Sequence, residues 1–284
     1  MSQFFEALGN PDVAFLRYAL AAALLASVGF GIIGTYVVVR RISYIAGAIS
    51  HCVLGGIGAS LYLQATAGWS WCTPLLGAVV SALLAALLIG LVSLHARQRE
   101  DTVIGALWAV GMAVGLLFLA RTPGYVNPMS YLFGNILLIS RGDLWMIAVL
   151  DLIVVGLAAL FYNPFMLVCF DEEFARVRGL RVDFYYLLLL SLTALTIVLL
   201  VTVVGIVLVI ALLTLPAAVA GQFARRLWQM MALAAGLCMV FAGVGLGLSY
   251  RHNLPAGPTI IILASAAYLG VVVAGRFRKR LPSM

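Results

Sequence analysis

The chain has 284 residues, 64% of them hydrophobic and only 10% charged, with a formal net charge of +7. That composition excludes a soluble globular domain, and recurring apolar runs of eighteen or more residues point to an all-α polytopic membrane protein. The positive charge does not indicate nucleic acid, because it lies in short clusters between apolar runs, as in cytoplasmic loops.

In chain order, the first thirteen residues carry Glu6 and Asp12 and no basic residue, unlike a cleavable signal. About nine spans follow, at 14–39, 44–64, 74–94, 102–120, 143–162, 184–203, 205–222, 228–248 and 258–275. No segment has the alternation of an outer-membrane barrel. The stretch 184–222 has no polar loop, yet one helix of that length would be nearly twice a bilayer. It is therefore divided at Val204-Gly205. With the N-terminus outside, thirteen Lys and Arg fall on the inner side (Arg40, Arg41, Arg97, Arg99, Arg176, Arg178, Arg181, Arg225, Arg226, Arg276, Arg278, Lys279 and Arg280). Four remain outside, at Arg17, Arg121, Arg141 and Arg251. The positive-inside rule then places the C-terminus in the cytoplasm.

The glycines spaced four apart, Gly111 with Gly115 and Gly243 with Gly247, suit close helix packing. The outer segment 121–142 has two prolines and two tyrosines, which suits a short helix lying along the surface or dipping back in. The cysteines Cys52, Cys72, Cys169 and Cys238 are scattered and form neither a disulfide framework nor a zinc-finger spacing.

"CFDEEFARVRGLRVD", Cys169 to Asp183, holds four of the ten acidic residues. Asp171 is an N-cap, Glu172 and Glu173 fill a first turn, Arg176 and Arg178 a last turn, and Gly179 a C-terminal stop. Phe170, Phe174 and Val177 share a face. A helix this short must dock on something, either its own bundle or a soluble partner. The single lysine, Lys279, has no glycine-rich loop before it, so the chain lacks a phosphate-binding loop. Any ATP-driven pumping needs another chain.

"FDEEFARVRGL" resembles the coupling segment of permeases of the metal-ion ATP-binding-cassette importers, which take up zinc, manganese or chelated iron. "VVVRRISYIAGAISHCVLGGIGAS" resembles that family's first inner loop and second span, "VGIVLVIALLTLPAAVA" its proline-bearing span, and "LSYRHNLPAGPTIII" its last outer loop. The resemblance implies one permease domain over residues 1–284, a bundle related to the vitamin B12-type importers, and a coupling segment at 163–183. It also implies a homodimer in a bacterial inner membrane, two copies of an ATPase subunit on the cytoplasmic face, and an extracellular or periplasmic metal-binding protein. In the coupling segment Phe170 and Phe174 would anchor the ATPase, and Asp171, Glu172, Glu173, Ala175, Arg176 and Gly179 would set register and shape. The chain itself would be no enzyme and would hold no permanent cofactor.

Ionisable groups at membrane depth are functional candidates, here His51 and Asp151. Asp151 also fits a helix-packing carboxyl. His252, in the last outer loop, is a first-contact candidate for metal or a solvated loop residue, and His95 reads as an inner-edge loop residue. The family pattern has an acid four residues before the histidine, where this chain has Gly47, one turn below on the same face and opening space beside the ring, and often an aspartate where it has Asn253. Losing oxygen donors while keeping imidazole leans toward zinc over manganese. The competing expectations are a manganese or chelated-iron permease, and an ion-coupled carrier using Asp151. An intramembrane metalloprotease is disfavoured, since no histidine is followed by glutamate.

Overall fold

The computed structural model describes residues 14–95, 100–124, 128–134 and 141–280. The inner-loop Arg97 and Arg99, the acids Glu6 and Asp12, and residues 125–127 and 135–140 of the outer segment lie outside the described residues. So does the side chain of His95.

Among the described residues the chain is helical throughout. The helices are α1 (Ala14–Val39), α2 (Ser43–Ala67), α3 (Pro74–His95), α4 (Glu100–Arg121), α5 (Pro128–Phe133) and α6 (Arg141–Leu160). They continue with α7 (Tyr162–Phe170), α8 (Glu172–Val177), α9 (Val182–Val204), α10 (Ile206–Ala220), α11 (Leu227–His252) and α12 (Ala256–Arg280). Eight are long and apolar enough to cross a membrane: α1, α2, α3, α4, α6, α9, α11 and α12. Helix α10 has 15 residues, so the ninth sequence span is a short one.

The core is built around α1, which is packed by α6, α9, α10 and α11. Its buried side chains include Phe30, Ile33 and Tyr36. Contacts along α1 fix how its neighbours run. Arg40, just past its inner end, lies over the Tyr186 ring near the start of α9, and Leu199 near the end of α9 packs beside Gly29. On α10, the Leu213 carbonyl abuts Gly34, while Ala217 and Ala220 pack with Val38 and Val39. So α9 climbs away from the inner face and α10 returns to it. The division at Gly205 is a reversal, as the arginines on both flanks require.

That reversal needs glycine. Gly205 has φ 86° and ψ 159°, a region closed to residues with a side chain. Its N–H donates to the Val201 carbonyl and its carbonyl accepts from Val209 N–H, both at 3.2 Å, so both backbone groups of the buried glycine are paired. Fifteen residues of α10 rise about 22 Å, less than a ~30 Å hydrocarbon core, so the turn lies within the membrane. Above it sits α5, which packs against both arms of the hairpin.

Helices α2 and α4 run parallel and form a second seam. A Cβ added to Gly55 would meet the Gly111 carbonyl at 3.1 Å, and Gly58 faces Gly115 at the next turn outward. Lipid supplies no hydrophobic drive between helices, and close backbone approach of this kind holds them by dispersion.

Candidate functional site

The charged inner segment folds as its residues dictate. Asp171 caps α8, its carboxylate accepting from Phe174 N–H at 2.9 Å. Glu172 and Glu173 occupy the first turn and Arg176 the last. The helix closes in a Schellman motif, with Gly179 N–H donating to the Arg176 carbonyl at 2.9 Å and Leu180 N–H to the Ala175 carbonyl at 3.1 Å. Gly179 supplies the left-handed residue, at φ 78°. Ala175 is buried against the bundle, while Phe170, Phe174 and Val177 are 66%, 44% and 85% exposed. The small side chain thus seats the helix and the apolar face stays outside. The Arg178 guanidinium lies 4.9 Å from the Phe174 ring centre, over the ring. Arg176 pairs with Asp183 at 2.8 Å, an exposed contact of little energetic weight.

One residue ties this helix to the bundle. Arg40 donates to the Val168 carbonyl at 2.7 Å and to the Glu172 carboxylate, and stacks over buried Tyr186 with 5.1 Å to the ring centre. It joins the end of α1, helices α7 and α8, and the start of α9. The next residue, Arg41, turns the chain into α2 with φ 62°, unusual for a side chain that large. Beside this junction burial pushes the Cys169 thiol up to about 12, with Arg40 pulling the other way.

Eight residues into α2 lies His51, half-buried on the α2–α4 seam. Its imidazole stacks on the Trp108 indole of α4, with centroids 4.5 Å apart and planes at 22°. Tyr44 joins the same indole, at 5.7 Å. His51 Nδ1 is buried with no hydrogen-bond partner, leaving one ring nitrogen uncommitted within the chain. Space beside the ring, expected from Gly47, is filled: a Cβ on Gly47 would lie 2.8 Å from Trp108 Cζ3.

The other candidates lie apart. Asp151 of α6 is buried, and its carboxylate accepts from Gly29 N–H at 3.1 Å. A Cβ at Gly29 would collide with that oxygen, so the two helices meet around the carboxyl. His252 is exposed in the last turn of α11, beside Arg251. Asn253 follows it as a left-handed C-cap at φ 52°, a place where asparagine's short polar side chain is favoured. Among the described residues no three His, Cys, Asp or Glu side chains come together to hold a metal ion. A cavity of about 390 Å³ opens at the outer end of the seam, lined by Tyr62, Val114, Leu117, Phe118 and Arg121. Apolar walls and an arginine make it a poor cation pocket.

Sequence reasoning did not find Trp108 or Arg40 as site residues. Trp108 sits in an unbroken apolar run with nothing to distinguish it from a packing residue. Arg40 reads as one more inner-loop charge, and only its three partners reveal its place.

The ABC 3 transport family model matches residues 12–275. The membrane protein slr2045 of Synechocystis is 46% identical over 256 residues, covering 90% of this chain and 89% of its own. The manganese transport system membrane protein MntC of Listeria monocytogenes is 35% identical, with 92% and 90% covered. Among solved structures, PsaBC from Streptococcus pneumoniae in complex with Fab superposes with a TM-score of 0.83 at 29% identity, covering 95% of this chain and 94% of that one. The bundle matches almost end to end, the family model covers all but the termini, and no phosphate-binding loop is present. The chain therefore belongs to the ABC 3 transport family, as the multi-pass inner-membrane permease subunit of a bacterial metal-ion importer whose ATP is hydrolysed by a separate subunit.

Proposed function

We propose that two copies of this chain surround a two-fold axis and pass a divalent transition metal inward past the two His51 side chains. An extracellular metal-binding protein delivers the ion. Two ATPase subunits seat on α8, taking the Phe170–Phe174–Val177 face into a cleft, with Asp171, Glu172, Glu173, Ala175, Arg176 and Gly179 holding its shape and register. The observation that carries the pathway reading is the His51 ring, about 12 Å in from the start of α2 with an uncommitted buried nitrogen. A neutral imidazole binds such ions and tolerates burial better than a carboxylate does.

The cargo this reading favours is zinc, because the neighbouring position 47 offers no oxygen. Manganese is the second reading, supported by the name of the 35% identical MntC protein. Uptake of radioactive zinc and manganese by the complex reconstituted in proteoliposomes separates them. His51→Ala is expected to abolish uptake of the cargo, and undiminished uptake at limiting metal removes His51 from the pathway. Phe174→Ala is expected to lower recovery of the ATPase subunit with the permease. Full assembly with full transport-coupled hydrolysis refutes docking through α8.

A further inference from the structure

Trp108 and any side chain at position 47 compete for the same space. The Cβ that every residue but glycine carries would lie 2.8 Å from Trp108 Cζ3 and 3.2 Å from Cη2. Separations under 3 Å are not met by real Cβ atoms, so one of the two must move. The indole has little freedom to do so. One face lies on His51, and Tyr44 packs against it as well. The backbone that carries it is pinned on both sides. Cys52 Sγ donates to the Leu107 carbonyl at 3.3 Å, and Gly111 presses against Cys52 one turn further out. An indole has one N–H donor and no ligating lone pair, so Trp108 cannot replace an oxygen donor at a metal.

We propose that Trp108 is a specificity-determining residue of the permeation pathway. It holds the His51 ring flat against the α2–α4 seam, and it occupies the place from which a carboxylate at position 47 would reach an ion beside that ring. With the indole present the chain offers imidazole nitrogen and no carboxylate oxygen beside this ring. With the indole removed and an acid installed, it offers nitrogen and oxygen together. Imidazole suits zinc, whereas carboxylate oxygen suits manganese, so the indole sets which ion passes. The inference rests on the reading of His51 as a pathway residue.

The test is uptake of radioactive zinc and manganese by the complete reconstituted complex, read as KM for each ion and as the ratio between them. Trp108→Phe keeps a flat ring on His51 and is expected to stay close to the parent. Trp108→Ala frees the imidazole and is expected to raise the zinc KM about ten- to a hundredfold, the usual cost of losing a group that orients a ligand. Trp108→Leu covers the case in which the alanine variant fails to assemble, because it keeps bulk without a flat face, and the same rise is expected. Gly47→Asp alone is expected to gain no manganese uptake while the indole blocks it. Gly47→Asp with Trp108→Ala is expected to shift the zinc-to-manganese ratio toward manganese by about tenfold or more. A merely structural role for Trp108 would not move that ratio. An unchanged zinc KM in both Trp108→Ala and Trp108→Leu overturns the proposal, as does an equal manganese gain in Gly47→Asp with and without the indole. His51→Ala separates the two levels. Loss of uptake there together with an unmoved ratio in the Trp108 variants overturns the role of the indole alone, whereas normal uptake in His51→Ala overturns the pathway reading and this inference with it.

Discussion

Arg40→Ala tests how firmly helices α7 and α8 are held to the bundle. The substitution removes a charged hydrogen bond to the Val168 carbonyl, an ion pair with Glu172 and the stacking over Tyr186. The first contributes about 1.5–3 kcal/mol and the stacking about 0.5–1 kcal/mol. The ion pair, with side chains 19% and 35% exposed, contributes at most about 1 kcal/mol. The three share one guanidinium and do not add fully, so about 2–4 kcal/mol is lost. At 1.4 kcal/mol per factor of ten, the unseated form of α7 and α8 becomes about 30 to 700 times more populated. A native reporter lies beside the contact. The Cys169 thiol is 8% exposed and held protonated by burial, so it reacts slowly while the segment is seated. In a background with Cys52, Cys72 and Cys238 replaced by alanine, a membrane-permeant maleimide is expected to label Cys169 faster by that factor in Arg40→Ala. Labelling at the parent rate would show that Arg40 does not hold the segment, and the energetic reasoning would fall.

Gly205→Ala forces a side chain into a backbone region closed to it, and is expected to cost about 1–3 kcal/mol, read as a lower melting temperature in detergent; an unchanged melt refutes the tight reversal. Both Cys72 and Cys169 are buried, so the sidedness of the chain is better read at exposed positions. Ser70→Cys is expected to react from outside in intact cells and Val177→Cys only after permeabilisation, and the opposite pattern reverses the topology. Asp151→Asn keeps an oxygen to accept the Gly29 N–H and is expected to retain transport; an assembled but inactive variant would place Asp151 in the pathway.

The span pattern was legible because membrane solvation leaves few solutions. A run of twenty apolar residues must be a helix, and arginine placement sets its direction. The capping of α8 was legible for a local reason, since Asp171, Glu172, Glu173, Arg176 and Gly179 each satisfy a terminus within a few residues. What sequence could not supply was contact between distant segments. Gly47 read as an opening, because an absent side chain leaves space on its own helix; the indole that fills it belongs to α4. The reversal at Gly205 was inferred from length, but its depth depends on where α10 lies beside α1. Asp151 read either as a functional charge at membrane depth or as a helix-packing carboxyl, and the backbone N–H that meets it became visible only once Gly29 was set against it.

The hairpin of α9 and α10 bears on how the chain enters the membrane during synthesis. The positive-inside rule puts both of its ends on the cytoplasmic side, with Arg176, Arg178 and Arg181 before it and Arg225 and Arg226 after it. Its tip is one glycine whose hydrogen bonds are made within the two arms. No polar loop has to be carried across the bilayer, and the second arm is too short to span by itself. The two arms can therefore insert together from the ribosomal side as a preformed wedge. Helix α5, made earlier on the chain, would then be waiting at the far side to cover the tip as it arrives.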